Sequence, residues 1–347
     1  MKAVFLTEIG KLEMRDVPVP ALAAPGDVLL RVDVVGVCGS DMHYFRAGRI
    51  GCQVVQFPWI LGHEFGATVV QAGPETGGIK KGQLVAVDPL IACGKCDQCR
   101  SGRAHTCRDQ RFMGCPGQLP GCMSEYVVMP AQCCWPMPRG LSAVQAALIE
   151  PFSIALHARN LGGVKEGMSV AILGAGPIGL AVLAALRADE PCDIYVTDLL
   201  DNRLEMAKKL QADATFNAAG QDVAGELNQC QPLGMDVVFE CAGKGETIDQ
   251  AVRMLAPGGK LVLVGIPADD RISIDFNDLR RKELSVRCVR RQNECIAPAI
   301  EMLQRNEVQL DPLVTHHFSL MQSQQAYDMA ADYRDGVIKA MIHLADA

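Results

Sequence analysis

The sequence contains no run of roughly 18 uninterrupted apolar residues, so nothing in it reads as a membrane span. Its start, MKAVFLTEIGKLEMRD, has no apolar core of signal-peptide length, which points to a cytoplasmic protein. Long basic stretches are missing as well. The arginine-rich patches LRRKEL and VRRQN are short, and 33 Lys and Arg stand against 40 Asp and Glu, for a net charge of −7. That balance argues against nucleic acid or an acidic membrane surface and leaves small molecules as partners. Internal repeats and low-complexity segments are absent too.

What is present is 347 residues, 49% of them hydrophobic, which suits two packed domains of ordinary size. The chain also carries 15 cysteines, and without a secretory leader these read as metal ligands or core residues rather than disulfides. Cys52, Cys115, Cys122, Cys133, Cys134, Cys192, Cys230, Cys241, Cys288 and Cys295 are scattered, mostly in apolar surroundings, and each reads as a small buried hydrophobe.

Up to about residue 150 the pattern is short β-rich runs cut by Gly and Pro, such as DVLLRVDVVGV and GATVVQAG, which predicts an irregular, mostly antiparallel β domain. Beyond EPFSIALHARN, apolar runs (SVAILG, IYVTD, MDVVFECAG, KLVLVGI) alternate with helix-like stretches (IGLAVLAALRA, DNRLEMAKKLQA). Such alternation implies a doubly wound parallel sheet with both faces covered. The last 60 or so residues lack a core-sized pattern of their own and are expected to pack back onto the first domain. The expected organisation is therefore α/β plus irregular β: residues 1–152 and 287–347 form one domain, with residues 153–286 inserted as the parallel-sheet domain.

SVAILGAGPIGLAVLAALRA reads as strand, GxGxxG turn (Gly174, Gly176, Gly179) and helix. Glycines there permit a tight turn and close approach of backbone N–H groups to a pyrophosphate, and Pro177 and Ile178 open the helix whose N-terminus favours the anion. The next strand ends in Asp198, at the offset where a carboxylate accepts from the adenosine ribose hydroxyls and repels a 2′-phosphate, which favours NAD over NADP. Arg203 is placed to partner the adenine or ribose, or else to pair with Glu205 or solvent. Val264, Gly265 and Ile266 end a later strand at the carboxyl edge, where ligands of such sheets bind.

CGKCDQCRSGRAHTC offers the four thiols of Cys93, Cys96, Cys99 and Cys107 in one compact loop, a set that suits a closed, structural Zn²⁺. An iron–sulfur cluster also uses four cysteines, but its ferredoxin spacings differ. A second set is dispersed: Cys38 in GVCGSD, His63 and Glu64 in ILGHEF, and Glu150 in LIEPF. One thiolate, one imidazole and one or two carboxylates can hold zinc and still leave a position for substrate. Taken singly, Glu150–Pro151 could also simply open a helix.

Together VCGSDMHYFRAGRIG, LGHEF, CGKCDQCRSGRAHTC, EPFSIALHA, GAGPIG and VTDLLDNRL resemble the zinc-dependent medium-chain alcohol dehydrogenase family, most closely its polyol (sorbitol or L-iditol) branch, over essentially the whole chain. The resemblance implies a GroES-like β domain carrying the metal, a Rossmann domain binding NAD, and two zinc ions per chain. It also implies that Cys38, His63 and a glutamate, Glu64 or Glu150, bind the catalytic ion, that Ser40 and His43 relay a proton, and that Tyr44, Phe112 and Arg291 line the substrate pocket. A homodimer or homotetramer is the family expectation, with an apolar strand such as KLVLVGI as the pairing edge. Arg290 and Gln292 depart from the polyol pattern. Two adjacent arginines favour an anionic substrate, although on a strand only one of them would face a given side. The rival readings are a dehydrogenase of a sugar acid (L-idonate or L-galactonate), of a sugar phosphate or of L-threonine, and, from other classes, a non-catalytic NAD-binding redox sensor or a zinc hydrolase.

Overall fold

The computed structural model of the chain describes residues 1–189, 192–220 and 222–344. It divides into two compact units: Met1–Glu150, Ile296–Arg305 and Leu310–Ala347 form the first, and Pro151–Cys295 with Asn306–Gln309 the second.

The first unit is built on a seven-stranded, largely antiparallel sheet. Its central strand, Asp27–Gly36, is buried at eight of ten positions and is paired by Glu64–Ala72, Tyr126–Pro130 and, from the far end of the chain, Lys339–His343. Burial on both faces explains why the sequence there is a nearly continuous apolar run. Val314–Ser319 adds a parallel edge strand to Lys339–His343. The pairing register sets Gly36 opposite both Glu64 and Met341, so three distant segments converge at one end of the sheet. Immediately past that end the chain turns into the helix Gly39–Ala47, which Gly48 terminates in a left-handed conformation with φ of 67°.

The second unit is a six-stranded, wholly parallel sheet ordered Ala214–Asn217, Asp193–Asp198, Ser169–Leu173, Met235–Glu240, Leu255–Leu263, Ser285–Cys288. Strand order reverses beside Ser169–Leu173, the arrangement that opens a crevice at the carboxyl edge of doubly wound sheets. All five residues of Ser169–Leu173 are buried. The last strand is different, with all four residues exposed.

Several expectations change. The sixth strand runs to Cys288, so an edge at residue 286 falls inside a strand whose alternating, exposed SVRC carries little apolar signal. KLVLVGI is not an edge, because Ser285–Cys288 covers it. Arg290 and Arg291 lie beyond that strand and Arg291 has φ of 55°, so strand alternation does not separate their side chains. Cys52, Cys230 and Cys288 are exposed, at a turn, a helix end and a sheet edge, whereas the other seven scattered cysteines are buried. Glu150 and Pro151 sit inside the helix Ala143–Gly162 rather than opening one.

Candidate functional site

Cys38, His63 and Glu64 come together where the first unit's strands converge, their ligand atoms all within 4.8 Å of one another. Adjacent residues of a strand face opposite sides, which would separate His63 from Glu64. Gly62, at φ of 94°, and a strand that begins only at Glu64 remove that constraint. Ser40 stands at the edge of the group, its Oγ 3.2 Å from Cys38 Sγ and 3.5 Å from His63 Nε2. Burial, then the Glu64 charge, push the Cys38 thiol up. At His63 burial opposes the charged form, yet the Cys38 and Asp41 charges outweigh it and raise the imidazole well above its ordinary value. One soft thiolate, one imidazole and one carboxylate form a donor set suited to zinc with a position left open.

Two residues that sequence reasoning passed over hold this set. Asp41, fully buried in the first turn of the helix Gly39–Ala47, lies 3.6 Å from His63 Nδ1 and so turns Nε2 toward Ser40. Lys339 Nζ pairs with Glu64 Oε2 and donates to the Val37 carbonyl at 3.1 Å, with both side chains buried. A Cβ on Gly36 would come within 2.6 Å of that same Glu64 oxygen, so a larger residue there would make the pair shift. The signal available in the sequence was a lone lysine in the apolar stretch VIKAMIHLA.

Glu150 is buried, with its carboxyl pushed up to about 8 by desolvation against the opposing influence of His63, and it is not in the 4.8 Å group. Phe112 stacks obliquely on the His63 ring, centroids 5.4 Å apart. Tyr44 lies one helical turn past Ser40 and its hydroxyl donates to Gln53 Oε1 at 3.1 Å. His43 is half-buried in the same helix.

The thiols of Cys93, Cys96, Cys99 and Cys107 also gather within 4.8 Å. Tetrahedral Zn–S bonds of about 2.3 Å set neighbouring sulfurs about 3.8 Å apart. The separations here are 3.6 Å for Cys96–Cys99 and 3.9 Å for Cys96–Cys107. All four cysteines are free, and one tight set fits a single ion better than an iron cluster, whose thiolates bind separate irons. Backbone N–H groups of Cys93 and Asp109 point at Cys107 Sγ, 3.3 and 3.4 Å away. Other backbone N–H groups, chiefly that of Arg108, lower Cys96 to about 6, while burial raises Cys99 to about 12. A two-point Arg108–Asp97 pair, 2.5 and 2.8 Å, ties the loop together.

In the second unit the three glycines of the turn do three different things. Gly174 has φ of 100°; a Cβ on Gly179 would lie 1.9 Å from the Gly174 carbonyl oxygen; a Cβ on Gly176 would meet nothing nearer than Arg203 Nη1 at 3.8 Å. The middle glycine thus leaves its backbone open to a ligand, and Pro177 and Ile178 start the helix Pro177–Asp189 beside it. Asp198 accepts from Ala175 N at 2.7 Å and Leu200 N at 3.0 Å, which occupies about two of a carboxylate's four acceptor positions. Arg203 Nη1 is 3.6 Å from Asp198 Oδ2, at the turn, while Glu205 pairs with Lys208 instead. Glu240, which sequence reasoning also missed, joins two carboxyl-edge loops. Its side chain accepts from Ala242 N and Gly243 N, and its carbonyl from Val264 N and Gly265 N. Ile266 beyond them is 44% exposed, and Arg291 belongs to this unit as well.

An alcohol dehydrogenase GroES-like domain matches residues 24–139, and a zinc-binding dehydrogenase domain matches residues 177–305. The chain is 35% identical to a sorbitol dehydrogenase of Bacillus subtilis, covering 99% of this chain and 97% of that protein. It is 32% identical to an L-idonate 5-dehydrogenase of Vitis vinifera, over 99% and 94% of the two. A solved structure of a putative zinc-binding dehydrogenase from Sinorhizobium meliloti 1021, bound to NADP, superposes with a TM-score of 0.89 at 30% identity, over 99% of each chain.

Proposed function

The chain belongs to the zinc-binding alcohol dehydrogenase family, and on that premise we propose that it is an NAD-dependent dehydrogenase of polyols, removing hydride from the carbon that bears a secondary hydroxyl of a sorbitol- or L-iditol-like substrate. The observation that carries this reading is the buried convergence of Cys38, His63 and Glu64 with Ser40 at its edge. These three residues would hold the catalytic zinc, and Glu64 rather than Glu150 is the carboxylate grouped for direct ligation. Bound zinc supplies Lewis-acid chemistry that eases loss of a hydroxyl proton, and NAD supplies the hydride acceptor. The four cysteines of the Cys93–Cys107 loop would hold a second, structural ion.

The chain's own residues do the rest. Ser40 Oγ, beside both Cys38 and His63, receives the substrate hydroxyl's proton, and His43 on the next turn passes it outward. Asp41 fixes the His63 ring, and Lys339 holds the Glu64 carboxyl in place. Phe112 walls the imidazole side, and Tyr44, tethered to Gln53, offers its oxygen to a substrate hydroxyl. Asp198 supports NAD over NADP even though a relative's structure holds NADP, because its carboxylate would repel a 2′-phosphate. The strand Ser285–Cys288, exposed at all four positions, is the edge we assign to pairing in a homodimer or homotetramer. Fifteen free cysteines fit the reducing cytoplasm, and among the described residues no helix is long and apolar enough to cross a membrane.

A second reading, oxidation of a sugar acid, is favoured by the Arg290–Arg291 pair lying outside strand alternation. NADH formation measured across hexitols, pentitols, aldonates, sugar phosphates and L-threonine, with NAD and NADP in parallel, separates the two. Higher kcat/KM on hexitols with NAD supports the proposal, and preference for aldonates supports the second reading. No reduced cofactor with any of them would sink both.

A further inference from the structure

Tyr327 is fully buried in the helix Ser323–Ala331, and its hydroxyl finds no hydrogen-bond partner among the described residues. The same is true of both carboxylate oxygens of Asp41, whose nearest charged contact is His63 Nδ1 at 3.6 Å. Native proteins seldom leave a buried hydroxyl or carboxylate dry, and two such groups in one place call for a common explanation.

They are in one place. Asp41 and Phe45 occupy the same face of the helix Gly39–Ala47, four residues apart, and the Tyr327 ring packs on Phe45 with centroids 5.4 Å apart. After burial, the charge that bears most on the Tyr327 hydroxyl is Asp41's, followed by those of Cys122, Cys38 and Glu64. Asp41 likewise leads the charges acting on the fully buried Cys122 thiol. Neither group bonds the other directly, and a bridging water is the simplest partner the two can share. The phenol and the two carboxylate oxygens together offer such a water the two to four polar partners it needs.

We infer that the Tyr327 hydroxyl is a positioning group for His63: a single buried water joins it to Asp41, and Asp41 in turn fixes the imidazole. The inference rests on the reading of Cys38, His63 and Glu64 as a metal site. Tyr327 donates to the water and the water donates to Asp41. The carboxylate is thereby held on the Nδ1 side and Nε2 is left facing Ser40. Partners that orient a metal-ligating histidine typically change metal affinity 10–100-fold when lost.

The test compares the wild-type chain with Tyr327→Phe, Asp41→Asn and the double variant, using competition with a zinc chelator. Tyr327→Phe should weaken zinc at the Cys38–His63–Glu64 site about tenfold, leaving the four-cysteine ion and the melting temperature unmoved. The double variant should be no worse than Asp41→Asn alone. Unchanged zinc affinity in Tyr327→Phe, equal loss at both metal sites, or effects that simply add would overturn the inference. A high-resolution crystal structure of the wild type supplies the second arm. A water within hydrogen-bonding distance of both Tyr327 Oη and Asp41 supports it, and direct contact or a dry gap defeats it. If the wild type binds only one zinc, the metal-site reading has failed, while the crystal still judges the water.

Discussion

Lys339→Met takes away the ammonium that faces Glu64, and the size of the damage follows from the burial of both groups. Each residue is 2% exposed, so the abandoned carboxylate cannot reach water without rearrangement. Removing one partner of a buried ion pair costs about 3–5 kcal/mol. At about 2–4 °C per kcal/mol for a unit of this size, the first unit should melt roughly 6–20 °C lower. The chain's two tryptophans, Trp59 and Trp135, both lie in that unit, so fluorescence melting reads it alone. The loss should be largest in chelator-treated protein and smaller with zinc, because an ion on Glu64 replaces part of the lost positive charge. Glu64→Gln combined with Lys339→Met should recover most of the stability, since neutral replacements of both partners leave no buried charge. A chelated Lys339→Met protein melting within a degree or two of wild type would refute the buried-pair reasoning. So would a double variant melting as low as the single.

Two further perturbations separate folding from function. Gly176→Ala adds a methyl that meets nothing closer than 3.8 Å, so the second unit should stay folded while KM for NAD rises at least tenfold, whereas Gly179→Ala, with its Cβ 1.9 Å from the Gly174 carbonyl oxygen, should unfold that unit; equal behaviour of the two variants in melting and in cofactor titration would rule out distinct glycine roles. Elemental analysis should find two zinc ions per wild-type chain, one in Cys38→Ser with NADH formation abolished and NAD binding kept, and one in Cys99→Ser with a less stable first unit; a variant retaining both ions would show that its cluster has been misread.

The parts of the site that were legible in the sequence share a property: the chemistry sits within one short stretch. The four cysteines fall within fifteen residues, Cys93 to Cys107, and the glycine turn lies between one strand and one helix. Local spacing therefore implies local geometry. Lys339 shows the opposite case, because it is 275 residues from Glu64 and reaches it only through the pairing of Lys339–His343 with the central strand. In the sequence it is one lysine in an apolar run, which serves an edge strand as well as a buried pair. The choice between Glu64 and Glu150 was undecidable for a related reason. Strand alternation argues against two neighbouring residues serving one ion, and only the left-handed Gly62 and the late start of the strand lift that objection. Tyr327 was invisible at every level of pattern: in SQQAYDMAA it is a helix aromatic like any other. Its significance comes from a buried, unpartnered hydroxyl on a helix that packs against the one carrying an equally unpartnered carboxylate, and that depends on how two helices pack rather than on either one's sequence. The proposed positioning groups thus escape sequence reading because their partners are chosen by packing, while the proposed ligands are displayed by motif.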